Sequence, residues 1–553
     1  MRNRRQTEHL FSQVPKAQIP RSMFDRSMTH KTAFDAGNIV PLWVDEVLPG
    51  DTYNVNMTAF LRLATPIYPF LDNIYLSVFF FFVPNRLVWT NWQKFCGEQT
   101  DPGDSTDFTI PQATLAASSG IADQLPDYLG IPPSAAGFTR TNATFNALPL
   151  RGYRLIWNEW FRDQNLQDSV TVPTGDGPDT LSDIWDLLKR GKRHDYFTSC
   201  LPWPQKGAAV DLPLGDSAPI TGTMDIVGDG SAPTFDTGVL NTQTLRALGS
   251  SGGPAAQWSG DESGSSVDAV WNDPHLQGAG SDLTADLSSA TSATINSLRQ
   301  AFQIQKLLER DARGGTRYIE LVKSHFGVTS PDARLQRPEY LGGGEIPINV
   351  NAVPQTSPKT TASGWTQTVK GSLAAYATGA GSGIGFNKSF TEHGYVFGLV
   401  SARADLTYQQ GLHRMWSRLT KYDFYWPALS NIGEQAVLNK EIYYQGPDVL
   451  DTGDIVDDKV WGYQERWAEY RFSPSRVSSI MRSEYTTPLD AWHLAIKNTS
   501  LPILGDTFIQ ENPPIDRVIA VTTEPHFLCD SFFQIKCARP MPVYSVPGLI
   551  DHF

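Results

Sequence analysis

Tyr53-Asn54-Val55-Asn56-Met57-Thr58-Ala59-Phe60-Leu61-Arg62-Leu63 is apolar at every odd position and polar at every even one except Phe60. A period of two puts the odd side chains on one face of an extended chain, so the segment predicts a strand with one face in a core and the other in solvent. Upstream, Ile39 to Leu48 reads as a second strand. It joins the first through Pro49-Gly50, where proline presets φ and glycine supplies the positive φ of a type II turn, so an antiparallel pair is expected. Downstream, Ile74 to Val83 contains Val78-Phe79-Phe80-Phe81-Phe82 and has no polar face. Both of its sides must be covered, at a sheet centre or a subunit interface.

The same grammar returns near the C-terminus in His393 to Leu406, Lys459 to Phe472 and His526 to Arg539, where Phe533, Ile535 and Cys537 alternate with Gln534 and Lys536. Strands therefore sit at both ends of the chain, with helices between them. The clearest helix runs from Ile295 to Arg310, with Ile295, Leu298, Ala301, Phe302, Ile304 and Leu308 on one face and Arg299, Lys306 and Arg310 opposite; Gly314-Gly315 ends it. A second is expected over Arg317 to Phe326 and a third over Ser182 to Lys189. From Ser217 to Ser297, 33 of 81 residues are Gly, Ser or Thr and apolar periodicity is lost, which marks a surface excursion.

At 553 residues and 61.2 kDa, 40% hydrophobic and 19% charged, the chain can bury a large core and is neither disordered nor coiled coil. Its 45 Gly and 38 Pro make about 15% of the residues against roughly 12% in ordinary proteins, so turns are plentiful. A net charge of −13 and a pI of about 5.3 argue at first sight against a protein that coats nucleic acid, since phosphate contacts need Lys and Arg. The charge is unevenly spread, however: +5 over residues 1–31, −8 over Ser217 to Ser297 and −10 over the rest. Arg2, Arg4 and Arg5 lead a basic arm with little apolar pattern. Lys189, Arg190, Lys192 and Arg193 put four bases in five residues, followed by Tyr196, Phe197 and Trp203. Cations that track a backbone and rings on which bases stack are what single-strand binding requires; the plainer reading is a solvated helix end beside core aromatics.

Other chemistry is thin. Met1 to Pro15 has no apolar stretch behind its bases and reads as no secretory signal, and the apolar run ending at Val83 is six residues long where a membrane span needs about 20. The four cysteines show no CxxC spacing, and Cys529 and Cys537 lie roughly 26 Å apart on one expected strand, so free buried thiols in a reducing compartment are expected. Gly249-Ser250-Ser251-Gly252-Gly253 has the spacing of a nucleophile elbow but sits in loop sequence rather than between strand and helix. Gly379, Gly381, Gly383 and Gly385 fail the dinucleotide fingerprint and read as a flexible turn, and no phosphate-binding GxxxxGK[ST] loop occurs. The ten histidines are scattered, and Asp451, Asp454, Asp457 and Asp458 read as a solvated loop that lacks a calcium-loop pattern. No cofactor is expected, with a divalent cation left open. Fifteen tryptophans keep a β-rich carbohydrate-active enzyme or binding module as the alternative, which would need two carboxylates facing one cleft.

Several strings closely resemble the major capsid protein of the Microviridae, in particular its gokushovirus branch. They are Phe79-Phe80-Phe81-Phe82-Val83-Pro84-Asn85-Arg86 with Trp89 and Trp92, Asn158-Glu159-Trp160-Phe161-Arg162-Asp163-Gln164-Asn165-Leu166, and Arg193 through Gly207. Arg313-Gly314-Gly315-Thr316-Arg317-Tyr318, His325-Phe326-Gly327-Val328 and Arg337-Pro338-Glu339-Tyr340-Leu341-Gly342-Gly343 continue the series. The resemblance spans most of the chain, in order. It implies a mainly β fold, a viral jelly roll of eight antiparallel strands in a barrel, with long inter-strand insertions containing some α-helices. Residues 1–35 would form the arm and 36–553 one jelly-roll domain, its strands in about 36–90 and 340–553 and a large insertion over 90–340.

The resemblance further implies that the chain is a structural virion protein and not an enzyme. About sixty copies would close into a T=1 icosahedral shell around a circular single-stranded DNA genome, synthesised and assembled in the bacterial cytoplasm. Its partners would be itself, the genome, a small basic internal DNA-binding protein and a bacterial cell-surface receptor, with no membrane insertion. In this branch an insertion projects outward and is thought to meet the host. Here Ser217 to Ser297 has the composition for it, against the plainer reading of a passive, variable surface loop.

Overall fold

The computed structural model describes residues 20–114, 124–132, 144–180, 185–210, 295–328, 336–356 and 370–544, with six short strands between 220 and 285. The chain divides into two compact units, one of Met1–Lys206 with Glu309–Phe553 and one of Gly207–Leu308. No helix among the described residues is long and apolar enough to cross a membrane.

In the larger unit the alternating segments assemble one antiparallel sheet. Its strands are β1 (Ser22–Asp25), β2 (Met28–Phe34), β3 (Val40–Val47), β4 (Thr52–Leu63), β5 (Ile74–Pro84), β6 (Glu339–Pro354), β7 (Leu373–Ser389), β8 (Gly394–Ala404) and β9 (Phe527–Arg539). The order is β1–β9–β4–β7–β6–β5–β8–β3, with β2 also on β9. Trp43, on the last strand of this order, lies 5.9 Å from the Phe533 ring on β9 and 6.2 Å from Tyr53 on β4. The sheet is therefore curled around one apolar interior, a half-barrel of the jelly-roll kind.

Burial follows the pattern read from sequence. On β4 every odd residue from Tyr53 to Leu63 is buried and the even ones are exposed apart from half-buried Thr52, with Phe60 half open to solvent. On β5, Ile74, Leu76, Val78, Phe80 and Phe82 enter the sheet's interior, while Phe81 and Val83 enter a second cluster on its outer face. β8 divides the same way, Val396 and Val400 inward and Tyr395, Phe397 and Leu399 outward. A strand buried on both sides needs no polar alternation, and each fully buried Phe contributes about 1.5–3 kcal/mol. The outer cluster is roofed by α1 (Leu148–Ile156), which continues as one π-helical turn through Phe161.

Several expectations change. The turn at Pro49-Gly50 forms, with Gly50 at φ +91° and Asp51 N donating to Leu48 O at 3.0 Å, but β3 and β4 do not pair. β3 bonds β8, while β4 bonds β7 and β9. Alternation reveals which face is buried; it does not distinguish a ladder neighbour from a strand facing across the core. Residues 22–34, assigned to the basic arm, are β1 and β2 on the sheet edge. The Gly379–Gly385 run is part of β7, not a turn: a Cβ on Gly385 would stand 1.8 Å from Val55 O, so glycine is what lets the bulged strand close on β4. The strand expected over Lys459 to Phe472 stops at Glu465, and Trp467 at φ +69° leads into a helical turn, Ala468–Arg471. Within the expected helix at Ser182 to Lys189, described residues 186–189 are not helical, and Lys189 bridges Asn38 as an isolated strand contact.

The other two helices form, as α2 (Ile295–Arg313) and α3 (Tyr318–Phe326). The expected inward face of α2 is largely open: Ala301 is buried, but Phe302 and Ile304 are exposed. In the smaller unit, Asp225–Gly228 pairs with Leu276–Ala279 and Ile220–Thr221 with Thr284–Ala285, so the excursion leaves and returns as an antiparallel ribbon. Of the four cysteines, all free, Cys200, Cys529 and Cys537 are buried as expected and Cys96 is exposed.

Candidate nucleic-acid interface

The Lys189–Arg193 cluster is an extended strap laid along the larger unit. Arg190 N donates to Gly37 O at 2.9 Å, Gly191 N to Phe161 O at 3.0 Å and Lys192 N to Ile509 O at 2.7 Å, so the backbone is held on both sides. These bonds turn alternate side chains inward. Arg190 lies with its guanidinium carbon 5.2 Å from the Phe79 ring centre and donates to Ser77 Oγ at 3.2 Å. Lys192 Nζ donates to Phe508 O at 2.6 Å and sits over the Phe508 ring. Burial pushes the Arg190 pKa down to about 10 and lowers that of Lys192, and it raises that of buried Glu511 against the pull of both cations. Lys189 Nζ meets Asn512 Oδ1 at 2.8 Å, while Arg193 is half exposed and pairs with Glu345.

The rings that follow are core. Tyr196 donates to Glu441 at 2.8 Å, and Phe197 packs 4.8 Å from Tyr408 and 6.0 Å from Trp461. Neither is available to stack on a base, and Trp203 is half-buried. Arg2, Arg4 and Arg5, most of Ser217 to Ser297, and the Gly249–Gly253 motif lie outside the described residues.

The strap instead forms one wall of a cleft whose other walls come from residues the sequence reading did not single out for contact. Phe81, Trp160 and Tyr340 form a triangle of rings, with centres 5.5 Å apart from Phe81 to each of the others and 5.9 Å between Trp160 and Tyr340. Trp160 and Tyr340 are 38% and 44% exposed, so part of each face is open. Trp160 is fixed by its indole N–H, which donates to Pro338 O at 2.9 Å, and by Arg337, whose guanidinium lies 5.1 Å from the ring centre. Arg162, Arg190, Arg193 and His194 line the same cleft against one acid, Asp163. Arg162 donates through Nη1 to Gln167 O at 2.7 Å, while its buried Nε finds no acceptor among the described residues. Burial lowers the Arg162 pKa and raises that of Tyr340.

Guanidiniums around partly open rings can hold a phosphate while a base stacks. The sequence signal for this cleft was an aromatic beside a base in two separate strings, Trp160 with Arg162 and Arg337 with Tyr340. Nothing in either string says that β6 brings them together.

Three of the four acids in the acidic cluster have partners within the chain: Asp451 pairs with Lys459 at 2.6 Å, Asp458 with Lys440 at 2.7 Å, and Asp457 accepts from Gly446 N at 2.8 Å. Among the described residues no three His, Cys, Asp or Glu side chains converge as a metal site.

Comparison with known proteins agrees over the whole length. The family model for the capsid protein (F protein) matches residues 12–549. The chain is 49% identical to capsid protein VP1 of Bdellovibrio phage phiMH2K, over 99% of both chains. It is 42% identical to capsid protein VP1 of Chlamydia phage 1 and 37% identical to that of Spiroplasma virus 4, in each case over 98% of this chain and 97% of the relative. Together with the curled sheet, these matches place the chain in the Microviridae capsid protein (F protein) family, in its gokushovirus branch, as a non-enzymatic structural protein of the virion.

Proposed function

We propose that about sixty copies of this chain close into a T=1 shell around a circular single-stranded DNA genome, with the basic arm and the Trp160–Tyr340 cleft facing the DNA. The match to capsid proteins over residues 12–549 carries the shell reading. Sixty copies of a 61.2-kDa chain make about 3.7 MDa, so purified protein sedimenting in that range supports it, and a stable 61.2-kDa monomer under all assembly conditions overturns it.

The DNA-facing assignment rests on charge and rings. Replacing Arg2, Arg4 and Arg5 with Ala lowers packaged DNA, more visibly at higher salt, because each lost phosphate contact removes a counterion-release contribution. Arg162→Gln with Arg337→Gln has the same effect through the cleft. Unchanged packaging in either variant rejects the corresponding contact. A small basic internal protein shares the neutralisation of the genome in this scheme. The excursion at Ser217 to Ser297, with its charge of −8, faces outward and meets a bacterial cell-surface receptor. Particles with this segment shortened should assemble but adsorb poorly to host cells, and normal adsorption would reject the assignment.

A further inference from the structure

Within the larger unit, two further segments, 413–432 and 466–485, carry a dense set of exposed apolar side chains. Trp416 is 68% exposed and Leu419 92%; Tyr422, Phe424, Tyr425 and Trp426, with Tyr470 and Phe472, are each about half open. They are knit into one surface. Tyr425 lies 5.7 Å from Trp467 and 6.3 Å from Tyr470, and the Arg418 guanidinium stands 4.3 Å from the Tyr470 ring centre and 5.4 Å from that of Phe424. Trp426 donates its indole N–H to Lys421 O at 2.9 Å, and Trp467 donates its own to Leu429 O at 2.8 Å. Contacts within the chain thus hold these rings in place while leaving their outer faces in water, and exposed apolar patches of this size mark interaction sites.

We propose that this surface docks against a different face of a neighbouring copy of the same chain. The inference rests on the shell reading, which supplies the second copy, and names the contact. Aromatic rings bury about 150–250 Å² each when covered, so seven left roughly half open offer on the order of 500–900 Å², near the about 800 Å² per partner of a standard interface. The cations are six Arg and one Lys, the bias of interface cores. Asp423, Glu469 and Glu484 lie within the segments and Glu441 and Glu465 pair Arg414 and Arg471, so the surface carries net +2, which leaves −15 on the rest of the chain. Pairing this surface with itself would set cation against cation, whereas the rest of the neighbouring copy is net acidic, and head-to-tail contacts of that kind close into rings. A DNA strand would leave the aliphatic Leu419, Met415 and Ile432 without apolar cover.

Leu419→Asp and Trp416→Ala test this in the full chain, since both side chains are exposed and their loss leaves the subunit's own packing in place. Thermal unfolding of the variants should match wild type. Wild type should sediment as shell-sized particles and each variant should yield at least tenfold fewer, with the protein recovered as slower species that bind an oligo-dT strand as tightly as wild type. Variants that assemble as well as wild type overturn the inference and leave the shell reading standing. Variants that form full yields of particles but lose oligo-dT binding overturn it in favour of a nucleic-acid surface. Failure of wild type itself to assemble overturns the shell reading, and the inference with it.

Discussion

Breaking the Arg151–Asp179 pair should loosen the helix that carries Trp160 and Arg162 into the cleft. Both side chains are essentially solvent-free, at 0% and 2% exposure, and the contact is bidentate: Nε to Oδ2 at 2.8 Å and Nη2 to Oδ1 at 2.6 Å. The remaining nitrogen, Nη1, donates to Val88 O and Gly175 O, both at 2.9 Å, tying α1 to the helical turn Asn85–Val88 that follows β5 and to the 175–179 loop. Asp179→Leu leaves the buried guanidinium without its bidentate partner and with only Asp176 as a weaker counter-charge, a loss of about 3–5 kcal/mol. At 1.4 kcal/mol per tenfold, amide hydrogens in α1 should exchange roughly a hundred- to several-thousand-fold faster, provided they open locally. Exchange is the suitable assay because a chain of this length need not unfold in two states. The double variant Arg151→Met with Asp179→Leu removes both charges and strands only the two carbonyls, about 1–3 kcal/mol, so it should be less damaged than Asp179→Leu alone. Less than tenfold acceleration in the single variant, or a double variant as damaged as the sum of the singles, would show that the pair does not hold α1 in place.

Other outcomes follow from the same geometry. Hydrogen bonds from Asn91 and then from the Trp89 indole hold the Asp176 carboxyl below its usual pKa, so the stabilisation is present above the ordinary carboxylate range and is lost as pH falls through the depressed folded-state value; Trp89 fluorescence should change on acidification below about pH 4 in wild type and not in Asp176→Asn. Gly385→Val should abolish soluble protein, because its Cβ would collide with Val55 O, and recovery of normal β signal in circular dichroism would contradict this. Phe80→Ala, at a fully buried site between Trp43 and Phe386, should cost about 3–5 kcal/mol locally, read as roughly a hundred- to several-thousand-fold faster amide exchange in β5. In native protein an aromatic disulfide reagent should label Cys96 rapidly and the three buried thiols only after denaturation.

Much of the fold was legible because burial in strands is periodic. The two-residue alternation of Tyr53–Leu63 and the unbroken Val78–Phe82 run reported, respectively, one covered face and two, and the structure buries them that way. The family strings extended this to the jelly roll. What misled was local reasoning about pairing and glycine: Pro49-Gly50 is a true turn between strands that never bond, and the Gly379–Gly385 run lies inside a strand because its neighbours approach too closely for a Cβ. The candidate site was legible only in part. The Lys189–Arg193 cluster does line a cleft, but the bonds of its backbone to Phe161 and Ile509 turn Arg190 and Lys192 inward, and the rings beside it in sequence belong to the core.

The sequence alone determined the class of this protein: mainly β, uneven in charge, and built from strings resembling one capsid family, since strand periodicity and local composition are properties of consecutive residues. Tertiary packing settled which strands share a ladder and which bases stay near the surface. It also decided that Trp160 meets Tyr340, 180 positions later, across the outer face of β5. Such contacts depend on how the curled sheet brings distant segments together to bury their apolar faces, a constraint that no run of neighbouring residues records.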